Sequence, residues 1–129
     1  MESRPMARIL VVDDDTAVRT FVVRALTQDG HVVEQASDAQ VALPMLDAMP
    51  DLSLLVTDVI MPGMDGIALG HEARKRRPAL AVLLMTGYAA GKDQAAAAES
   101  LSHELIIKPF ALRDICDKVA AILHADGGA

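Results

Sequence analysis

Apolar positions along the chain alternate between short, nearly continuous runs and longer stretches with helical spacing. Arg8-Ile9-Leu10-Val11-Val12-Asp13 is a run of the first kind, rich in β-branched residues, as expected of a strand covered on both faces of a parallel sheet. From Asp15 or Thr16 to about Gln28 the apolar residues shift to Val18, Phe21, Val22, Ala25 and Leu26, one stripe of a helix that stops at Asp29-Gly30. His31-Val32-Val33-Glu34-Gln35-Ala36 is a second strand, more polar and so placed near a sheet edge. Ser37-Asp38 caps a helix carrying Val41, Ala42, Met45, Leu46 and Met49, and Pro44 within it predicts a kink or a late start.

Ser53-Leu54-Leu55-Val56-Thr57-Asp58 is the third strand, and Met61-Pro62-Gly63-Met64-Asp65-Gly66 is a loop whose turns Pro and Gly set. A helix from about Gly66 to Arg76 ends in a basic cluster, favourable at a helix C-terminus. Leu80 to Thr86 forms a fourth strand. An Ala-rich helix from Lys92 to about Ser100 follows a loop bracketed by Gly87 and Gly91, and its small side chains predict loose packing. Leu105-Ile106-Ile107-Lys108 is a fifth strand, stopped by Pro109. Leu112, Ile115, Cys116, Val119, Ile122 and Leu123 make one stripe of a last helix, and residues 125–129 read as a frayed tail. Five strands, each followed by a helix, predict right-handed crossovers and a parallel sheet covered on both faces.

Composition narrows the class. A chain of 129 residues makes one domain, here 1–129 with a core from 7 to 124, and 52% hydrophobic residues suffice for that core. Aromatics are only 2%, so Val, Leu, Ile, Ala and Met must fill it. A formal charge of -6 argues against a nucleic-acid surface, which would be basic. No apolar run reaches the roughly 18 residues of a membrane span, and the N-terminus lacks a secretory apolar stretch. The single Cys116 cannot form an internal disulfide and suits a reducing, cytoplasmic setting.

In open α/β sheets the functional crevice lies at the carboxyl ends of the strands. Strand one ends in Asp13-Asp14-Asp15, strand three in Asp58, strand four in Thr86 and strand five in Lys108, whereas strand two ends in nothing reactive. Converging carboxylates repel one another, and a bound divalent cation relieves that repulsion; Mg²⁺ takes few carboxylates and completes its shell with water and phosphate oxygens. A carboxylate nucleophile, a lysine and a hydroxyl beside such a cation suit phosphoryl transfer through an acyl phosphate. Asp15 is assigned to the cap or first turn of the first helix. Each of the other residues also has a purely structural reading, as turn or cap, but their joint occurrence at strand ends favours chemistry. His31, His71, His103 and His124 share no metal-site spacing and are taken as surface or edge residues. Cys116 and the methionines at 45, 49, 61, 64 and 85 are taken as space-filling, with Met61 and Met64 near the rim.

Four stretches, Ile9-Leu10-Val11-Val12-Asp13-Asp14, Asp58-Val59-Ile60-Met61-Pro62-Gly63-Met64-Asp65-Gly66, Met85-Thr86-Gly87-Tyr88 and Lys108-Pro109-Phe110, together resemble the receiver domain of bacterial two-component response regulators over residues 7 to 124. The resemblance implies a flavodoxin-like doubly wound sheet of order 2-1-3-4-5 with five helices. It implies that Asp58 is phosphorylated by a histidine kinase or histidine phosphotransfer protein. It further implies Mg²⁺ held directly by Asp14 and Asp58, by Asp13 through water, and by the backbone carbonyl of Ile60. Lys108 would pair with Asp58 and then with the phosphoryl group, Thr86 would swing toward a phosphoryl oxygen, and the Lys108-Pro109 bond would be cis. Such a protein is a phosphorylation-dependent switch or relay rather than a turnover enzyme. Its downstream protein target would dock on the face made by the fourth helix, fifth strand and fifth helix.

This chain departs from the family pattern at two places. Many receivers carry Tyr or Phe three residues before the lysine, where this chain has Leu105, and Tyr88 is the nearby aromatic that could take over the switch role. Ile60 and Tyr88 also offer no group to orient a hydrolytic water, so a slowly hydrolysed phosphoryl group is expected. The alternative of a haloacid-dehalogenase-type phosphohydrolase would use Asp13 of Asp13-Asp14-Asp15 as nucleophile, but Ala17 stands where that signature wants Thr or Val. A flavodoxin-like cofactor binder would want a hydroxyl- and Gly-rich loop after strand one, and that loop is acidic here.

Overall fold

The computed structural model describes residues 6–87, 96, 99 and 103–127, with side chains described to residue 124. Five strands form one parallel sheet: β1 (Arg8–Val12), β2 (Val32–Ala36), β3 (Leu54–Asp58), β4 (Ala81–Gly87) and β5 (Glu104–Lys108). Their spatial order is β2-β1-β3-β4-β5, with β2 at an edge, as its polarity predicts. Four helices are described: α1 (Thr16–Gln28), α2 (Ala39–Ala48), α3 (Gly66–Arg76) and α4 (Leu112–Gly127). The expected Ala-rich helix over residues 92–100 lies, except for Ala96 and Glu99, outside the described residues, as does Tyr88. The fold is therefore the expected doubly wound one, with four helices described against five predicted.

The alternation of side chains along a strand divides the core in two. Ile9, Val11, Leu54, Val56, Leu83 and Met85 point to one face, where α1 and α4 cover them with Val22, Leu26, Ile115 and Val119. Leu10, Val12, Leu55, Val82 and Leu84 point to the other, under Ala42 and Leu46 of α2 and Leu69 and Ala73 of α3. Leu83 and Leu84 are both fully buried, one on each face, which is why β4 reads as an unbroken apolar run. Truncating either to Ala removes about 2–5 kcal/mol of stability, since a rigid sheet cannot collapse around the gap.

Aspartates start the first three helices. Asp15 accepts from the amides of Ala17 and Val18, Asp38 from Val41, and Asp65 from Ala68. Each satisfies amides that the first turn leaves without a partner. Gly30 follows α1 with φ 98°, a conformation that side chains disfavour, and lets the His31 amide bond back to the Leu26 carbonyl. The expectation of a late start for the Pro44 helix is not met: Asp38 caps it, and it runs unbroken from Ala39 to Ala48 with Pro44 inside.

Three further expectations need correction. The last helix runs to Gly127, so 125–127 are helical rather than a frayed tail. His31 and His103 are buried, at 4% and 7% exposure, while His71 and His124 are exposed as expected. His31 Nδ1 accepts from the Ala7 amide at 3.1 Å, and His103 lies against Gly70 of α3, where an added Cβ would come 2.8 Å from its Nε2. An isolated histidine gives no sign in sequence of such a backbone or glycine partner. Met64 is 37% exposed rather than filling space, because the Gly63 turn carries it outward; Met49, Met61 and Met85 are buried. Cys116 is buried, as expected, with its thiol against the Ala25 carbonyl at 3.4 Å.

Candidate functional site

β1, β3 and β5 end on one rim and bring together residues distant in the chain. Asp13 and Asp14 leave β1, Asp58 closes β3, and Lys108 closes β5. The carboxylates of Asp13, Asp14 and Asp58 each place an oxygen within 4.8 Å of the others. Lys108 Nζ stands 2.7 Å from Asp58 Oδ1 and 3.4 Å from Asp13 Oδ2. Asp13 is fully buried and Asp58 nearly so, at 8%, whereas Asp14 is exposed. Three carboxylates against one ammonium leave the cluster negative, at a place where low dielectric amplifies charge.

The protonation equilibria reflect that balance. Burial pushes the Asp13 carboxyl above its ordinary value and Asp58 adds to the push, against the Asp15 amide bond and the Lys108 charge. Burial alone would lower the Lys108 ammonium, but its bond to Asp58 and the charges of Asp13 and Asp58 outweigh this and raise it. Lys108 therefore stays charged, and the cluster attracts cations. Three hard oxygen donors with one exposed member form a donor set that fits Mg²⁺ with an open side for water and phosphate.

Local structure fixes each acid. Asp13 donates its amide to the Ala36 carbonyl at 3.2 Å, and its Oδ1 accepts from the Asp15 amide at 2.9 Å. Val59 bonds the Met85 carbonyl at 3.0 Å, tying the Asp58 end of β3 to β4. The buried Thr57 hydroxyl donates to the Asp58 carbonyl at 3.0 Å. Gly66 starts α3 against that same carbonyl: an added Cβ would fall 1.9 Å from the Asp58 oxygen, so only glycine fits. Thr86 is buried at the end of β4, its hydroxyl donating to the Gly87 carbonyl at 3.4 Å. The Ile60 side chain is 65% exposed, and Leu105 packs into the α2–α3 side of the core. The Lys108-Pro109 bond is cis. Beside it Ala17, Val18, Phe21, Lys108, Pro109 and Phe110 line an apolar recess of about 290 Å³, with the rings of Phe21 and Phe110 6.3 Å apart.

Asp13, Asp14, Asp58 and Lys108, all read from strand ends, thus meet. Thr86 lies on the same rim without a bond to the acids, and Tyr88 lies outside the described residues. Sequence reasoning missed Thr57, Gly66, Arg19, whose guanidinium donates to the Asp13 carbonyl, and Gln35, which accepts from that guanidinium. Gly66 could have been suspected as a glycine at the first position of a helix that follows a strand-end acid. Gln35 could not, because β2 was read as ending in nothing reactive.

Comparison with known proteins agrees with this geometry. The response regulator receiver domain family matches residues 9–120. The response regulator receiver protein CpdR of Brucella abortus is 36% identical over 120 residues, covering 93% of this chain and 99% of that protein. The response regulator protein FleR of Pseudomonas aeruginosa is 40% identical over 121 residues, covering 94% of this chain but 25% of its own length. The crystal structure of a CheY-like response regulator receiver domain protein from Methanospirillum hungatei superposes with a TM-score of 0.86 at 29% identity, over 96% of this chain and 98% of that one. The chain belongs to the response regulator receiver domain family. Its members are phosphorylation-dependent signalling switches of two-component systems, not turnover enzymes; they bind Mg²⁺ at an acidic pocket and accept phosphoryl groups from histidine kinases or phosphotransfer proteins. The phosphohydrolase alternative gains no support. Among the described residues no helix is long and apolar enough to cross a membrane.

Proposed function

We propose that Asp58 is the phosphoacceptor and that the remaining rim residues serve its phosphorylation. The single observation that carries this is the convergence of Asp13, Asp14 and Asp58 around one point, with Lys108 2.7 Å from Asp58. An Asp58 carboxylate oxygen attacks the phosphorus of a donor phosphohistidine; a P–O bond forms, the P–N bond breaks, and the imidazole leaves with a proton. Lys108, held charged beside Asp58, is placed to follow the growing charge on the phosphoryl oxygens. The exposed Asp14, with Asp58 and the Ile60 carbonyl, would hold Mg²⁺ directly, and Asp13 through water. When bound, the ion neutralises charge on the transferred group. The exposure of the Ile60 side chain supports a role for its backbone alone. Thr86 and, in the absence of an aromatic at Leu105, Tyr88 would answer phosphorylation.

The apolar recess beside Lys108 supports a macromolecular donor, because it offers that donor a seat within reach of Asp58. Exposed Ile107 on β5 and Leu112 on α4, at 51% and 44%, support a downstream protein docking on the face that these two elements present. The receiver domain spans 1–129 with its core at 7–124, and a single, buried cysteine, Cys116, which cannot form an internal disulfide, suits a cytoplasmic protein. With an apolar Ile60 two residues after Asp58 and a bulky Tyr88 two residues after Thr86, the acyl phosphate persists for minutes or longer.

Intact-mass spectrometry after incubation with acetyl phosphate and Mg²⁺ tests this reading. Wild type should gain one phosphoryl group, only with Mg²⁺, and Asp58→Asn should gain none. An equal gain in Asp58→Asn would refute it. The decay of the adduct in Mg²⁺ alone then tests persistence, which loss within seconds would exclude.

A further inference from the structure

Arg19, in the second turn of α1, reaches back over the start of its helix to the rim. Its own amide bonds the Asp15 carbonyl at 2.9 Å, which fixes its backbone. Its guanidinium Nη1 donates to the Asp13 carbonyl at 2.6 Å, and its Nε donates to Gln35 Oε1 on β2 at 2.9 Å. The Asp13 carbonyl belongs to the peptide that joins Asp13 to Asp14. Rotation of that peptide would swing Asp14, the exposed member of the acidic cluster, while Asp13 stays held by the Ala36 carbonyl, the Asp15 amide and Lys108. Asp14 has no such packing to fix it, so the peptide orientation decides where its carboxylate stands.

We infer that Arg19 is a positioning residue for Mg²⁺ binding: its guanidinium, braced by Gln35, pins the Asp13–Asp14 peptide and thereby aims the Asp14 carboxylate at the site. This rests on the reading that Asp13, Asp14 and Asp58 hold the ion. A second effect of Arg19 has the opposite sign, because a fixed positive charge near the rim repels a divalent cation. Geometry wins here because the charge is partly delocalised into two good hydrogen bonds and faces water, where Coulomb terms are weak, whereas the bond to the peptide is short and charge-assisted. Lysine could keep the charge but not both bonds, since a point-like ammonium does not span two acceptors as the planar fork does.

Mg²⁺ alone, titrated into the unphosphorylated full chain and followed by amide NMR shifts at the rim, separates these effects. Arg19→Ala should weaken Mg²⁺ on the order of tenfold, the lower end of what losing an outer-shell partner costs. Arg19→Lys should weaken it nearly as much, and Gln35→Ala less but in the same direction, all with thermal midpoints close to wild type. Wild-type or tighter binding in Arg19→Ala overturns the inference and shows that the charge dominates. If Arg19→Ala fails to fold, Arg19→Lys decides by the same criterion, because it keeps the charge and the aliphatic stem. Asp14→Asn guards the underlying reading: if wild type and Asp14→Asn bind Mg²⁺ equally, the metal assignment itself has failed. If Asp14→Asn loses the ion and the Arg19 variants keep it, only the positioning role has failed.

Discussion

At the carboxyl ends of the strands Asp13, Asp58 and Lys108 are buried or half-buried; at the opposite ends His31, His103, Arg8 and Arg77 are too. The partners differ. At the lower rim each polar group for which a bond is described meets a group of opposite character. Arg77 donates to the carbonyls of Leu46 and Leu52 at 3.3 and 3.1 Å, and also to those of Met49 and Pro50, closing the connection from α2 to β3. His31 accepts from the Ala7 amide, and Arg8 pairs with Asp51 at 3.1 Å. At the upper rim three carboxylates share one ammonium, a surplus of like charge that contributes nothing to holding the fold. Buried polarity that is balanced serves stability, and a surplus of buried negative charge attracts cations.

Variants that confuse the two rims would break this comparison. The largest effect is expected from Lys108→Ala, which should slow phosphorylation of Asp58 by acetyl phosphate about 100-fold, as loss of one preorganised charge stabiliser does. It should also lower the thermal midpoint in the absence of Mg²⁺, because the buried Asp13 and Asp58 lose their ammonium partner. With that counter-charge gone the three carboxylates repel one another more strongly, so Mg²⁺ binding should tighten rather than weaken. Arg77→Ala should act on stability alone. Several carbonyls lose a charged donor, unfolding free energy falls by about 2 kcal/mol in denaturant titration, and the phosphorylation rate of the remaining folded protein is unchanged.

A smaller effect concerns His103. Burial, with the charges of Arg74 and His71 facing it from α3, lowers its pKa from 6.5 to about 4, and no hydrogen bond to either ring nitrogen is found among the described residues. The folded state therefore holds this ring neutral where the unfolded chain would protonate it. Its contribution to stability is fully present above pH 6.5, falls as pH drops from 6.5 toward 4, and levels off below. The loss is on the order of 1 kcal/mol once screening is allowed for, and His103→Leu should flatten that part of a stability-against-pH curve. The smallest effect is that of Asp51→Ala. The Arg8–Asp51 pair lies at the surface, so its loss should shift the thermal midpoint by no more than the scatter between melts, and less still at high salt.

The contrast also explains how much could be read without the structure. The sheet was legible because four strands are runs of β-branched and apolar residues and β2 is the more polar one expected at an edge, and the site because strand ends in such a sheet converge whatever the intervening chain does. Asp15 was legible as a cap because it sits where a helix must begin. What stayed hidden was polarity that is satisfied by distant partners. His31 and His103 looked like surface residues, and only the fold shows the Ala7 amide and the cleft at Gly70 that receive them. Arg19 and Gln35 lie on different elements, and no local pattern links a helical arginine to an edge-strand glutamine. Met64 looked like core because methionine usually is, and the Gly63 turn alone carries it outward.

Mapping the phosphorylated residue tests the central claim most directly. An acyl phosphate on an aspartate is reduced by borohydride to homoserine, which marks the position permanently for peptide mass spectrometry. After treatment with acetyl phosphate and Mg²⁺, the account predicts homoserine at position 58 and unmodified aspartate at 13 and 14. Homoserine at Asp13 or Asp14, with Asp58 intact, would contradict it and place the nucleophile on β1 instead.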